Sequence, residues 1–122
     1  MLGVFLDLNS VDRNELDLTS LRNVLPDWQF YEETDKHDVL ERIRDVDVVV
    51  VNKVVLDQEI LSKAEKLRLV CVAATGTDNV DLKTASKRGS SVCNVRAYAT
   101  PSVVQHVFML VLSLVTRVND YI

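Results

Sequence analysis

The residues of this chain that could bind a small anion follow two of its apolar runs. Thr75, Gly76 and Thr77 come after the run that ends at Ala74, and Lys53 comes after a run of valines. A glycine permits a ligand to approach the backbone closely, and successive amide N–H groups can hold a carboxylate without a charged side chain. Composition alone favours an ordinary loop, however, and a single lysine is more often simply solvated.

Other residue types that could do chemistry form no convincing group in the sequence. Asp81 is explained as a helix cap, which leaves Asp78 without a partner for acid–base work. His106 stands alone one turn into a predicted helix, and a lone histidine is more often a packing residue. The two histidines and two cysteines lack the spacing of a metal site. We therefore predict no catalytic residue and no metal site in these 122 residues.

The glycines of the chain exclude two nucleotide-binding motifs. Only Gly3, Gly76 and Gly89 are present, and neither a G-x-G-x-x-G turn nor a P-loop can be built from them. A nicotinamide cofactor needs its phosphates held at a helix N-terminus. We therefore expect neither NAD nor NADP to be bound by this chain alone.

Charge and composition argue against several classes of function. The net charge of −4 and the pI near 5.1 give no electrostatic footprint for nucleic acid or an anionic membrane. The most apolar stretch, residues 107–115, is far shorter than the roughly 20 residues that cross a bilayer. Cys71 and Cys93 lie in apolar runs and are predicted to be reduced core thiols, which fits a cytoplasmic protein.

Short apolar runs alternate with helix-like segments along the whole chain. This alternation predicts an α/β fold with a parallel sheet between helices, and five strands in this length favour the flavodoxin-like order 2-1-3-4-5. Nearly continuous valine in the third strand fits a strand that is buried on both faces. The predicted strands are residues 1–8, 28–31, 46–51, 67–73 and 91–95. The predicted helices are residues 16–25, 39–43, 57–64, 81–88 and 101–122.

Capping residues mark the ends of the last two predicted helices. Asp81 can cap the fourth helix through its carboxylate, and Gly89 can take the left-handed conformation just past its end. Thr100 is predicted to cap the fifth helix, with the following proline in its first turn. The fifth helix is apolar almost all round, and a five-stranded domain can cover only one face of it. We therefore divide the chain into a domain, residues 1–100, and a self-associating helix, residues 101–122.

Three stretches together resemble the D-isomer-specific 2-hydroxyacid dehydrogenases, and they span essentially the whole chain. They are V-N-K-V-V-L at 51–56, A-A-T-G-T-D-N-V-D-L at 73–82, and V-C-N-V-R-A-Y at 92–98, which runs on into S-V-V-Q-H at 102–106. The T-G-x-D-N-x-D loop followed by C-N-V is specific in combination. The N-K-V-V-L and Q-H variants are most similar to the glycerate dehydrogenase and hydroxypyruvate reductase branch.

The resemblance implies roles for the loops at the two strand ends. Thr75, Gly76 and Thr77 would hold the carboxylate of a small 2-hydroxy or 2-oxo acid through their backbone amides. The loop at Asn52 and Lys53 would line the substrate side of the same cleft. In the full-length family that cleft lies between this flavodoxin-like domain and a Rossmann domain that binds NAD or NADP.

Two further roles concern the cofactor and the dimer. Thr75 and Val104 would contact the cofactor, and the helix at residues 101–122 would contribute to a homodimer interface. The histidine, carboxylate and arginine that carry the family's chemistry lie downstream of this sequence, and neither Arg96 nor His106 matches them. The resemblance therefore implies the substrate-binding part of an oxidoreductase, cut off before its cofactor domain and inactive alone.

Other proteins with this order of elements fit less well. A phosphorelay receiver needs an acidic pair after strand one, an aspartate after strand three and a lysine after strand five, where this chain has Asp7 alone, Asn52 and Arg96. A flavodoxin needs a hydroxyl-rich phosphate loop after strand one, and the residues L-N-S-V at 8–11 match such a loop poorly. A non-catalytic interaction or dimerisation module derived from the dehydrogenase fold remains the alternative.

Overall fold

A computed structural model describes residues 1–12, 15–117 and 120–121. Five strands form one sheet in the order β2-β1-β3-β4-β5, and every neighbouring pair is parallel. The predicted α/β fold and strand order are therefore confirmed. The strands are β1 (Leu2–Phe5), β2 (Asp27–Phe30), β3 (Val48–Val51), β4 (Leu69–Val72) and β5 (Ser91–Asn94).

The central strand is buried on both faces, as its valines predict. All four residues of β3 are buried, and the strand lies between β1 and β4 at the centre of the sheet. Branched side chains suit a pleated position of this kind because their restricted rotamers lose little freedom on packing.

The second helix has the predicted bounds, and the other four helices are shorter than predicted. They are α1 (Thr19–Arg22), α2 (Val39–Ile43), α3 (Gln58–Lys63), α4 (Leu82–Lys87) and α5 (Thr100–Thr116), with a 3₁₀ turn at Leu8–Ser10. The leucine-rich stretch before Pro26 was predicted as a helix over residues 16–25 and forms only the single turn of α1. None of the residues of α1 is buried, so no packed face extends it.

One face of the sheet carries the main core. Val4, Val49, Val70 and Val92 are register partners across four strands, so their side chains point to the same side. Buried residues of three helices join this cluster, namely Val39, Ile43, Ile60, Leu61 and Ala85. The core therefore lies between the sheet and helices α2, α3 and α4.

Burial on the opposite face decreases towards the edge of the sheet. Phe5, Val50, Cys71 and Cys93 are register partners there. The first two are buried, Cys71 is half-buried and Cys93 is exposed. The prediction that both thiols lie in the core is thus wrong for Cys93, because β5 is the edge strand.

Caps confirm two predicted helix ends and correct a third. The Asp81 carboxylate accepts a hydrogen bond from the amide of Thr84 at 2.9 Å, and Gly89 has a φ of 75° just after α4. Thr100, in contrast, is the first helical residue of α5 and not its cap. The N-cap position belongs to Ala99, whose side chain makes no capping hydrogen bond.

The long helix α5 is not packed against the domain. It ends at Thr116, and the next residue, Arg117, takes the left-handed conformation with a φ of 50°. The prediction that the helix extends to residue 122 is wrong, because Asp120 and Tyr121 are not part of it. Val118 and Ile122 lie outside the described residues. We expected the domain to cover one face of this helix, but none of its residues is buried. Both of its faces therefore remain available.

The helices of the fold also bear on membrane insertion. Within the described ranges, no helix combines the length and the apolar composition that crossing a bilayer requires.

Candidate functional site

The loops after β3 and β4 meet at the carboxyl edge of the sheet. Leu56 and Val80 form an isolated parallel bridge. The amide of Leu56 donates to the carbonyl of Asn79 at 2.8 Å, and the amide of Asp81 donates to the carbonyl of Leu56 at 3.0 Å. Ligands bind at this edge in open α/β sheets. The structure thus brings the two predicted loops together where a ligand is expected.

The side chain of Asn79 ties one loop to the other. Its Nδ2 atom donates to the carbonyl of Val54 at 2.9 Å and lies 3.5 Å from the carbonyl of Asn52. We did not single out Asn79 from the sequence as a site residue, although it lies inside the T-G-x-D-N-x-D stretch. Its role is to hold the β4 loop in register with the β3 loop.

The carboxylate of Asp7 is the hydrogen-bond acceptor for the amides of the β3 loop. Asp7 is 5% exposed. It accepts hydrogen bonds from the backbone N–H groups of Asn52 at 2.9 Å, Lys53 at 2.5 Å and Val54 at 3.1 Å. A carboxylate that accepts several amides is well compensated for its burial. These three amides are consequently unavailable to an external anion.

Asn52 is also occupied by internal contacts. Its Nδ2 atom donates to the carbonyl of Ser10 at 3.2 Å and lies 3.0 Å from the Ser10 hydroxyl. The side chain therefore joins the β3 loop to the 3₁₀ turn after β1. In the described structure Asn52 fixes the shape of the site.

The amides of the β4 loop are free, in contrast to those of the β3 loop. The carbonyl of Thr75 accepts from Asn94 Nδ2 at 2.6 Å, and the carbonyl of Thr77 accepts from the amide of Val80 at 3.0 Å. The Thr75 hydroxyl donates to the carbonyl of Val95 at 2.9 Å. No amide N–H of Thr75, Gly76 or Thr77 donates to another described residue. The loop is held by its oxygens, which leaves its nitrogens for a ligand.

Nothing in the fold requires a glycine at position 76. Gly76 has no positive φ, whereas Gly89 does. A Cβ built on Gly76 would meet only Asp78 Oδ2, at an ordinary contact distance of 3.7 Å. Gly76 and Thr75 are both exposed. Close approach of a ligand to the backbone is the remaining physical reason for a residue without a side chain here.

Lys53 follows Asn52 in the β3 loop. Its side chain is exposed and, within the described ranges, makes no ion pair. It lines a cleft of about 410 Å³ together with acidic residues that include Glu32, Glu33 and Asp35. The potential in that cleft is therefore mixed, and the free amides of the β4 loop are the better anion site.

Two exposed residues and one half-buried residue approach one another after β2. Asp35, His37 and Asp38 each offer one ligand atom, and these atoms lie within 4.8 Å of one another. No spacing in the sequence had indicated this group. Exposed acidic groups of this kind are common without an ion, so the cluster is not assigned as a metal site.

Comparison with known proteins settles the family. The sequence profile of the D-isomer specific 2-hydroxyacid dehydrogenase catalytic domain matches residues 5–117. The chain belongs to this family. The resemblance inferred from the three sequence stretches is thereby confirmed, and the receiver and flavodoxin alternatives are excluded.

Two relatives belong to the branch that the motifs indicated. A glycerate dehydrogenase of Methylorubrum extorquens is 34% identical over 113 residues, which are 91% of this chain and 36% of the relative. A hydroxypyruvate reductase of Blautia hydrogenotrophica is 38% identical over 88 residues, 72% of this chain and 27% of the relative. This member of the 2-hydroxyacid dehydrogenase family thus spans between 27% and 36% of the length of these relatives.

Solved structures agree with the fold. The NAD-dependent formate dehydrogenase of Staphylococcus aureus, in complex with NAD, superimposes with a TM-score of 0.75 at 26% identity and covers 98% of this chain and 40% of its own. An acyclic imino acid reductase in complex with NADPH and D-Arg has a TM-score of 0.81 at 16% identity, covering 98% of this chain and 40% of its own. At that identity the second match supports the fold alone.

The two positions predicted to contact a cofactor, Thr75 and Val104, both lie at the surface. Val104 is 48% exposed on α5, and the Thr75 hydroxyl is engaged with Val95. The three glycines of the 2-hydroxyacid dehydrogenase chain provide no glycine-rich turn for a pyrophosphate. The described residues therefore do not by themselves fit an entire NAD or NADP molecule.

Proposed function

We propose that this chain is the carboxylate-binding part of an NAD(P)-dependent oxidoreductase that acts on D-2-hydroxy acids similar to glycerate and hydroxypyruvate. The proposal rests on one observation above all. Three successive amide N–H groups, on Thr75, Gly76 and Thr77, are free at the carboxyl edge of the sheet. The glycerate dehydrogenase and hydroxypyruvate reductase relatives support the choice of substrate class.

The β4 loop binds the substrate carboxylate. Its three N–H groups donate to the carboxylate oxygens, and preorganised backbone dipoles of this kind need no reorganisation when the ligand arrives. Asn79 positions the loop from one side through the Val54 carbonyl. Asn52 and Lys53 form the adjoining wall, and Lys53 adds a positive charge at longer range.

The cofactor would supply the hydride acceptor or donor, and this chain would supply contacts only. Thr75 stands at the first position of the carboxylate loop, and the apolar side chain of Val104 suits packing against a planar ring. No acid–base role is assigned to a described residue. The chain alone should therefore bind the acid without reducing it, and hydroxypyruvate with NADH should show no absorbance loss above the blank.

Isothermal titration calorimetry of hydroxypyruvate and D-glycerate tests the proposal. Because only part of the pocket is present, we expect weak binding, with a Kd on the order of millimolar. The methyl ester of each acid is the matched control, since it keeps the shape and removes the charge. Binding of acid and ester with equal affinity, or of neither, would contradict the assignment.

We propose a homodimer through α5. The helix exposes large apolar side chains, with Phe108 62%, Leu114 79% and Val115 76% exposed. Contiguous apolar surface of this kind marks an interface in most proteins. Sedimentation at tens of micromolar should show self-association that the double substitution Leu114→Glu and Val115→Glu abolishes. A clean monomer of the unmodified chain would contradict the proposal, and Gln58→Glu on α3 is the control for added charge.

A non-catalytic dimerisation module derived from the same fold is the second candidate. The observation that favours it is the fully exposed apolar helix on a chain without an assigned acid–base residue. The coding sequence after Ile122 discriminates the two. Continuation into a strand and a G-x-G-x-x-G turn supports the enzyme, whereas an immediate natural stop codon supports the module. A cytoplasmic location, supported by two unpaired cysteines, belongs to both.

A further inference from the structure

Two thiols lie side by side on the face of the sheet opposite the main core. Cys71 of β4 and Cys93 of β5 are direct register partners. Their Sγ atoms are 3.4 Å apart, and both cysteines are free. Nothing in the proposed carboxylate site uses either thiol. No local pattern predicts this contact, because the two residues are 22 positions apart in the chain.

The two thiols differ in their access to solvent. Cys93 is exposed on the edge strand, whereas Cys71 is half-buried. Burial, together with the neighbouring Cys93, raises the pKa of the Cys71 thiol to about 12. Since the thiolate is the nucleophile of cysteine chemistry, Cys71 is not the first to react at neutral pH. Cys93 is the thiol that an oxidant in solution meets first.

The backbone is already placed for a bond between the two sulfurs. Adjacent strands run about 4.7–4.9 Å apart, and disulfides accept Cα–Cα separations of about 4.4–6.8 Å. The side chains point to the same face because they are register partners. The Cα–Cα separation that is general for paired strands therefore lies within the range that a disulfide accepts.

The geometry points to a redox modification site in which Cys71 and Cys93 form a reversible intramolecular disulfide, with a peroxide as oxidant. The Cys93 thiolate attacks one peroxide oxygen, which forms a sulfenic acid and, with one proton, releases the other oxygen as water. The Cys71 sulfur then attacks the Cys93 sulfur while its proton passes to the departing hydroxyl group, so that the S–O bond breaks and a second water leaves. Two thiols and one hydrogen peroxide thus give one disulfide and two waters.

The position of the pair suggests what the modification would affect. Asn94 directly follows Cys93 and donates to the carbonyl of Thr75 at 2.6 Å. A disulfide would therefore fasten β5 to β4 immediately beside the free amides. This consequence rests on the proposed function, whereas the modification itself does not.

Mass spectrometry of the chain after mild treatment with hydrogen peroxide tests the modification. We expect a loss of about 2 Da, corresponding to two hydrogens, and a fall in maleimide-reactive thiols from both to none. Dithiothreitol should restore both. Addition of oxygen at Cys93 while Cys71 stays alkylatable would overturn the proposal, and so would a disulfide found only between chains.

Single serine variants assign the two steps. Cys71→Ser should accumulate a sulfenic acid at Cys93 that dimedone traps, because the resolving sulfur is missing. Cys93→Ser should react with peroxide at least several-fold more slowly than the unmodified chain. Equal rates in the two variants would contradict the assigned order. The unmodified chain still decides whether the disulfide forms if either variant fails to fold.

Discussion

The loops after β3 and β4 occupy equivalent places in the fold but use their amides in opposite ways. Three N–H groups of the β3 loop point at a carboxylate that the chain itself supplies, that of Asp7. Three N–H groups of the β4 loop have no acceptor among the described residues. The amides of a strand-end loop can thus donate to a carboxylate of the same chain, which gives the loop a structural role. Alternatively, they can stay free to donate to a ligand.

Removal of the internal carboxylate should produce the largest effect. Asp7→Ala leaves three amides at a buried position without an acceptor, and we expect the free energy of unfolding to fall by about 3 kcal/mol or more. Urea denaturation followed by circular dichroism measures this change. Asp7→Asn keeps one oxygen acceptor and should cost less. An unchanged free energy of unfolding in Asp7→Ala would contradict the structural role of the β3 loop amides.

Addition of a methyl group to the free loop should affect binding and leave folding intact. The Cβ of Gly76→Ala meets no atom closer than 3.7 Å. The free energy of unfolding should therefore change by less than about 0.5 kcal/mol. The affinity for hydroxypyruvate should fall about tenfold, or about 1.4 kcal/mol, since the methyl group occupies the approach to the amides. Calorimetry measures the affinity, and urea denaturation measures the free energy of unfolding.

Gly89→Ala is the matched control for that substitution. Gly89 has a φ of 75°, so an alanine there is strained although no atom lies within 4 Å of the new Cβ. We expect the free energy of unfolding to fall by about 1 kcal/mol, with no change in affinity. If both alanine variants lost stability alone, the β4 loop would be structural as well.

The smallest expected effect comes from the carboxylate beside the free amides. The Asp78 carboxylate lies close to Gly76 and repels the negative charge of a ligand carboxylate bound there. Asp78→Asn should tighten the binding of hydroxypyruvate about twofold at low salt, and added salt should reduce the difference. Weaker binding in this variant would show that Asp78 contacts the ligand favourably.

Much of the fold was accessible from local sequence patterns. The alternation of apolar runs and helical segments predicted the strand order, and Asp81 and Gly89 marked the ends of α4. These features depend on residues a few positions apart. The placement of the T-G-T loop at the ligand edge followed from the same order, because parallel strands all end at one edge.

Long-range contacts account for what the sequence did not reveal. Asp7 meets amides 45 to 47 residues away, and its presence at the end of a strand was equally consistent with a turn. Exposure of Cys93 follows from its place on the edge strand. The projection of α5 away from the domain depends on tertiary packing, which an apolar pattern does not specify.

A titration of the ¹⁵N-labelled chain with hydroxypyruvate, followed through its backbone amide resonances, tests directly which loop binds the carboxylate. The amide resonances of Thr75, Gly76 and Thr77 should shift the most, while those of Asn52, Lys53 and Val54 should stay nearly unchanged because Asp7 accepts their hydrogen bonds. Equal shifts in both loops, or shifts confined to residues elsewhere, would contradict the claim that the free amides after β4 are the carboxylate site.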